Sequence, residues 1–237
     1  MKRIILLSAM TFLALAITVQ TSMGQGRVYI YDRGGGTPPR SHSGGNRGGY
    51  YLGNGGTYLG FRMGVNASRV NSEATYLESN SSKAGLVAGV VLGQQLTPAA
   101  PVLFETGLLY SEKGGKSDYG GNFSYNLNYL EVPLTFKYAI GLPNTPGMSI
   151  QPLFGGYFGV GVGGYIKDFE AREAYHSFGS SDSQFKRFDG GLKLGCGLGL
   201  QMFYAEISYN LGLANIGHNM FDETHNRGLS FSIGLNF

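Results

Sequence analysis

The sequence predicts an all-β protein: an eight-stranded, antiparallel, up-and-down transmembrane β-barrel behind a disordered N-terminal arm. Three observations predict it. Forty of the 237 residues are glycine, more than double the usual share of about 7%. Sixteen tyrosines and 15 phenylalanines accompany them without a tryptophan, and a glycine- and aromatic-rich chain with few blocks of helix formers has a β composition. Apolar residues then recur at every second position through eight segments, which places them on one face of each strand. Finally, the connections between segments alternate in length, the mark of a barrel with tight turns on one side of a membrane and long loops on the other.

Taken in order, the chain starts with Lys2 and Arg3, followed by a mostly apolar, uncharged run from Ile4 to Val19. Ser22 and Gly24 supply the small residues that a signal peptidase requires, so residues 1–24 read as a secretory signal peptide cut before Gln25. As a membrane anchor the run is short, since a span needs about 20 apolar residues, and Ser8, Thr11 and Thr18 interrupt it. Nothing later is apolar for long enough to cross a bilayer as a helix. An exported chain that lives in a membrane must therefore do so as a closed barrel, the other structure that satisfies its backbone there. Cys196 is the single cysteine, so no internal disulfide forms despite export. Losing Lys2 and Arg3 lowers the formal charge from +3 by two, and a near-neutral protein argues against nucleic acid as a partner.

Residues 25–56 carry Gly34-Gly35-Gly36, Pro38-Pro39, Gly44-Gly45 and Gly48-Gly49, with Arg27, Arg33, Arg40 and Arg47 against Asp32. Such a segment has no core to bury and reads as a flexible, mildly basic periplasmic arm. Residues 57–237 then form the barrel domain. Its first segment, Tyr58–Ser68, shows Leu59, Phe61, Met63, Val65 and Ala67 on one face. Gly85–Leu96 shows Leu86, Ala88, Val90 and Leu92, and Val102–Glu112 shows Val102, Phe104, Leu108 and Tyr110. Tyr125–Ile140 presents Leu130, Val132, Leu134, Phe136, Tyr138 and Ile140. Met148–Ile166 presents Ile150, Phe154, Phe158, Val160 and Val162. Phe188–Met202 presents Leu192, Leu194, Cys196, Leu198 and Leu200, and Phe203–Leu213 presents Phe203, Ala205, Ile207, Tyr209 and Leu211. The eighth segment is the C-terminal nonapeptide, with Leu229, Phe231, Ile233, Leu235 and Phe237 on one face.

Pro133 and Pro152 fall inside the fourth and fifth segments. Proline cannot donate to a ladder, so a bulge or a later strand start is expected at each. The short connections are Thr97–Pro101, Gly141–Gly147 and the junction of segments six and seven. The long ones are Arg69–Ala84, Lys113–Ser124, Lys167–Arg187 and Ala214–Gly228. Both ends of the domain then fall on the short-turn, periplasmic side.

Opposite the apolar set lie Arg62, Glu105, Glu131, Lys137, Asp189, Lys193 and Glu206, among glycines 60, 64, 89, 93, 107, 191, 195, 197 and 199. Three bases turned to lipid would cost about 2–4 kcal/mol each at the midplane, comparable in sum with the roughly 5–15 kcal/mol that holds a domain together. The charges therefore point inward. An eight-stranded barrel is only just wide enough for its own side chains, and glycines make room for long charged ones. Buried charges need partners, so these seven form a lumenal charge network that fills the barrel, in preference to a proton-handling or catalytic site.

Other motifs weigh little. Gly159-Val160-Gly161-Val162-Gly163-Gly164 fits G-x-G-x-x-G but lacks the helix that a dinucleotide site needs, and it reads as a lumen-facing strand. His42, His176, His218 and His225 lie in the arm or long loops. His218, Asp222, Glu223 and His225 match no metal-ligand spacing. Ser177, Ser180 and Ser181 beside His176 offer a nucleophile and base for a rim acyltransferase, but serines are common in loops. No cofactor, no metal and no enzyme is expected.

Several pieces resemble the outer-membrane β-barrel family that includes PorT-like proteins. They are Gly107-Leu108-Leu109-Tyr110-Ser111-Glu112-Lys113-Gly114, Asn128-Tyr129-Leu130-Glu131-Val132-Pro133-Leu134, Phe188-Asp189-Gly190-Gly191-Leu192, Tyr209-Asn210-Leu211-Gly212-Leu213-Ala214-Asn215-Ile216 and the strand from Asn226-Arg227. The terminal strand, ending on Phe237, also resembles the signal by which bacterial outer-membrane barrels reach their insertion machinery. The resemblance covers Tyr58 to Phe237 and implies the outer membrane of a Gram-negative bacterium, with lipid and the assembly machinery as partners. Some members are similar to type IX secretion components, so a secretion or envelope partner is implied, while the Gly/Arg-rich arm lies outside the family pattern. The expected role is a non-enzymatic barrel with a filled lumen that presents extracellular loops or docks to envelope components. The alternatives are a type IX secretion subunit, a narrow porin and a lipid-acting barrel enzyme.

Overall fold

The computed structural model describes residues 56–72, 81–97, 100–117, 123–142, 145, 147–168, 173–178, 185–217 and 224–237. The signal-peptide and arm readings, and His218, Asp222, Glu223, Ser180 and Ser181, lie outside them. The strands are β1 Thr57–Ser72, β2 Ser81–Thr97, β3 Ala100–Ser117, β4 Phe123–Tyr138, β5 Ile140–Gly141 and β6 Met148–Gly163, then β7 Tyr165–Asp168, β8 Glu173–His176, β9 Phe188–Leu200, β10 Phe203–Gly212 and β11 Thr224–Asn236. All pairings are antiparallel. Hydrogen-bonded neighbours run β5-β6-β9-β10-β11-β1-β2-β3-β4-β7-β8, and β4 pairs again with β6 to close the sheet. Eight staves result: β1, β2, β3, β4, β6, β9, β10 and β11. β5 resumes β4 after Ala139, β7 resumes β6 after Gly164, and β8 folds back on β7.

Alternation decides the two faces. Phe61, Met63, Val65, Phe154, Leu194, Ile207, Phe231 and Ile233 are each at least half exposed, and the same face continues around every stave. Residues one position away point into the lumen. A barrel with this apolar exterior and polar interior reverses the arrangement of a water-soluble domain and fits a lipid surround. The first and last strands lie side by side, tied by Leu59 N–H to Phe237 O at 3.1 Å and Phe237 N–H to Leu59 O at 2.8 Å. Both termini of the barrel thus share one rim with the short turns. In the two-residue turn between β9 and β10, Gln201 adopts φ 52° and donates its N–H to Gly147 O at 2.9 Å.

Two expectations need correction. Neither proline causes a bulge. Pro133 lies opposite Tyr157 and Pro152 opposite Cys196 in unbroken register. On β3, pairing with β4 pauses between Thr106 and Leu109 and resumes unshifted beside Pro133. Beside Pro152, the β4–β6 ladder pauses and β5 resumes it without a shift. A missing donor removes a rung without adding a residue, so register survives. The register shifts fall elsewhere, at Ser82/Val87 and Gln95/Thr97 between β2 and β3 and at Asn128 on β4.

The second correction concerns length. β1, β3 and β11 run to Ser72, to Ser117 and from Thr224, into stretches expected to be loop. Beyond the lipid, the outward positions are polar, as at Arg69 and Lys116, while the inward ones such as Val70, Lys113 and Asn226 stay buried, so the backbone ladder continues without the apolar alternation that marks a strand in sequence. One consequence reaches the site: Lys113 is a strand residue.

Candidate functional site

The lumen holds two charge clusters, stacked along the barrel axis. Toward the short-turn rim, Arg62 on β1 meets Glu105 on β3 at 2.7 Å. Lys137 on β4 meets the other oxygen of Glu105 at 2.7 Å and Glu206 on β10 at 3.4 Å. Lys193 on β9 meets Glu206 at 2.6 Å. Two tyrosines bind the cluster together. Tyr58 donates to Glu105 at 2.5 Å. Tyr204 accepts from Lys137 at 2.8 Å and donates to Glu206 at 2.8 Å, while its ring lies under Arg62 and Lys137. Asn236 anchors the edge by accepting from Arg62 at 2.8 Å.

Toward the long-loop rim, Lys113 on β3 meets Glu131 on β4 at 2.5 Å and Asp189 on β9 at 3.0 Å. Asn226 on β11 donates to the same Asp189 oxygen at 3.0 Å and to Tyr129 at 3.3 Å. The Lys113 ammonium also lies 4.0 Å from the centre of the Tyr157 ring.

All seven charged residues read from the sequence, Arg62, Glu105, Glu131, Lys137, Asp189, Lys193 and Glu206, therefore lie in the lumen within one or other cluster. The sequence reading missed Lys113, set aside as the start of a loop. Its inclusion balances the interior: Arg62, Lys113, Lys137 and Lys193 face Glu105, Glu131, Asp189 and Glu206. The signal was present, because Lys113 keeps the odd-numbered parity of Glu105, Leu109 and Ser111, but Gly114-Gly115 ended the visible alternation. Tyr58, Tyr129, Tyr157 and Tyr204 were likewise missed as lumenal groups, although each occupies an inward position.

Glycines supply the space. A Cβ on Gly93 would lie 2.1 Å from the Tyr58 ring, and one on Gly197 would lie 2.3 Å from the Tyr204 hydroxyl. The two rings lie where the facing strand has no side chain.

Between the clusters is a polar cavity of about 30 Å³, lined in part by Asn66, Ser111, Tyr157, Asn210, Ser230 and Lys193. That is room for two or three waters, since one water needs roughly 10–15 Å³. Asn66 bridges its wall, donating to Ser111 at 2.9 Å and accepting from Ser230. Above the second cluster an apolar cap closes the long-loop mouth. Phe178, Phe185 and Ile216, from segments outside the staves, pack with Val70, Tyr125, Leu127, Tyr129 and Ile166. Phe178 meets Tyr129 and Phe185 meets Tyr125, both edge to face. The lumen is a packed interior with small cavities, braced by charge pairs below and covered by apolar side chains above.

The C-terminal strand holds Leu229, Phe231, Ile233 and Phe237 on the exterior, each 48–56% exposed, with Leu235 half-buried between Phe61 and Phe203. His176 packs at a tilt against Tyr165 with ring centres 5.0 Å apart. The neighbouring Ser177 hydroxyl is buried and donates to Asn126 O at 2.6 Å. That serine is engaged in holding the cap segment to β4, which leaves no nucleophile–base pair between the two.

A closed eight-stranded barrel with a lipid-compatible exterior and a charge-paired interior defines the class: an outer-membrane β-barrel protein of the Gram-negative envelope. Residues 52–217 match the family described as Outer membrane protein beta-barrel domain, and the chain belongs to it. No curated protein matches the chain in sequence. Among solved structures it is similar to Neisserial surface protein A, with 13% identity over 77% of this chain and 97% of that one at a TM-score of 0.41. It is similar to the attachment invasion locus protein Ail of Yersinia pestis in complex with the heparin analogue sucrose octasulfate, with 12% identity over 76% of this chain and 99% of that one at a TM-score of 0.41. The outer membrane protein OprG from Pseudomonas aeruginosa is 12% identical over 76% of this chain and 94% of that one, at a TM-score of 0.30.

The segments that carried the family resemblance converge in space. Lys113, Tyr129, Glu131, Asp189 and Asn226 come from four of those segments and together form the upper cluster. A fifth segment supplies Ile216 to the cap above it.

Proposed function

We propose that this is a non-enzymatic, non-conducting outer-membrane barrel that works through its surfaces, presenting extracellular loops or docking to other envelope components. The carrying observation is the filled lumen: four bases against four acids, two tyrosine-braced clusters, and a cap above them. Charges tied to one another across the bore resist both ion passage and proton-transfer work, because each would first have to leave its partner. Single-channel recording of the purified protein in planar bilayers tests the reading. The expected trace is silent. Steady ohmic steps would instead support the narrow porin.

In the same reading, residues 1–24 direct export with cleavage before Gln25, residues 25–56 form a periplasmic arm, and the Leu229–Phe237 strand is the segment read by the barrel-assembly machinery. N-terminal sequencing of the mature protein and outer-membrane yield after removing Phe237 test the first and last of these. A PorT-like role as a type IX secretion subunit is the second reading. It is supported by the resembling segments from Gly107 to Arg227, although those segments already have a structural task in bracing the upper cluster. Affinity capture from membranes separates the two: recovery of secretion-apparatus subunits favours the second reading.

A further inference from the structure

Two cavities lie between the charge clusters, and buried polar atoms without a partner converge on them. The larger, of about 30 Å³, reaches Arg62, Lys193 and Glu206 of the lower cluster. The smaller, of about 10 Å³, reaches Lys113 and Asn226 of the upper one. Asn66, Tyr157, Asn210 and Ser230 line both, so one polar shaft runs from cluster to cluster.

Arg62 gives its Nη atoms to Glu105, Asn236 and the Phe61 carbonyl, while its Nε finds no partner among the described residues. The Tyr157 hydroxyl has none either. Asn210 donates through its amide nitrogen to Ser230 at 3.2 Å, and Asn226 donates to Asp189 and Tyr129. The Oδ1 atom of each asparagine is left over. Arg62, Tyr157 and Asn226 are no more than 5% exposed, so bulk water does not satisfy them. A buried polar group left unpaired lowers a folding equilibrium constant by roughly fivefold or more.

The set is mixed: one donor, two acceptors and a hydroxyl that is both. A ligand of the shaft must therefore donate and accept. It must also be neutral, because the lumenal charges of the described residues already pair four against four, and a further ion would be desolvated without a counter-charge. At roughly 10–15 Å³ for each water, the larger cavity takes two or three and the smaller takes one.

We infer that the shaft is a binding site for a short chain of waters that joins the two charge clusters into one hydrogen-bonded network. The chain runs from the Arg62 Nε–H, past the Tyr157 hydroxyl and Asn210 Oδ1, to Asn226 Oδ1. The inference rests on the reading of a closed, non-conducting bore. Single-channel recording tests that reading separately, since ohmic steps would remove it whatever the cavities hold.

Two variants of the full chain, unfolded by urea in phosphatidylcholine vesicles, test the waters. Tyr157→Phe keeps the ring beside Lys113 and deletes the orphaned hydroxyl. A dry shaft would leave stability unchanged or raised, whereas bound water predicts a folding equilibrium constant about fivefold lower or less. Ser208→Val adds a methyl group to the wall of the larger cavity. It fills an empty space favourably but displaces water from a hydrated one, so a loss of similar size is expected. Isotope-labelled wild type in bicelles supplies a readout that needs no variant to fold. Water cross-peaks to the Asn210 side-chain amide are expected with opposite signs in laboratory-frame and rotating-frame NOE spectra, which separates bound water from exchanging protons. Wild-type stability in both variants, or no such cross-peaks, would overturn the inference. So would a wild-type midpoint that differs between sodium chloride and choline gluconate at equal ionic strength, with the difference abolished by Tyr157→Phe, because that result assigns the shaft to an ion.

Discussion

Replacing Lys113 with Met removes the single cation in contact with both Glu131 and Asp189 while keeping most of the side-chain volume. Asp189 is fully buried and Glu131 nearly so. Breaking a buried pair by deleting one partner costs about 3–5 kcal/mol, because the remaining charge stays desolvated without compensation. Two carboxylates are stranded here, and Asn226 alone continues to donate to one of them, so the upper part of that range is expected. The barrel is unfolded by urea in vesicles, with the folded fraction read from gel mobility before boiling, and the midpoint and slope give the free energy. A second variant, K113M/D189N, removes one charge of each sign and restores a balanced lumen with Glu131 left near Lys193. It is expected to recover at least half of the loss. A K113M variant within about 1 kcal/mol of wild type, or a double variant less stable than the single, would refute the argument that paired charge braces the bore.

Three further outcomes follow from the same geometry. Tyr204→Phe deletes one hydroxyl that joins Lys137 to Glu206, and the same unfolding assay should show a loss of about 1.5–3 kcal/mol, the range for hydrogen bonds to charged groups. Gly93→Ala places a methyl 2.1 Å from the Tyr58 ring. It should destabilise by about 1–3 kcal/mol through overpacking, and a double-mutant cycle with Tyr58→Ala should show a strongly non-additive recovery. Leu194→Arg puts a cation on the outer face near the middle of β9. It should cost about 2–4 kcal/mol in a bilayer, and little loss there would contradict the assignment of that face to lipid.

How much was legible can be followed through single residues. Phe231 and Ile233 were placed correctly because a side chain's face depends on parity alone, and the strand's local geometry fixes parity. The same rule puts Arg62, Glu131 and Lys193 in the bore. It failed at Lys113, where two glycines erased the pattern one residue further on. It misjudged Pro133 and Pro152 because a missing donor was equated with an added residue.

Parity also says nothing about height. Glu105 takes Arg62 and Lys137, while Glu131 takes Lys113, and those choices follow from the register of each stave against its neighbours. The cap is a further case: Phe178, Phe185 and Ile216 lie in stretches with no periodicity and meet only when the chain closes. The sequence by itself determined a period-two barrel chain, which face meets lipid, and that the interior is charged, since these depend on neighbours along the strand. Tertiary structure alone decided which charges pair, that the eight paired lumenal charges among the described residues balance, and that an apolar cluster covers the upper one, because those depend on contacts between residues far apart in the chain that register and closure bring to the same level.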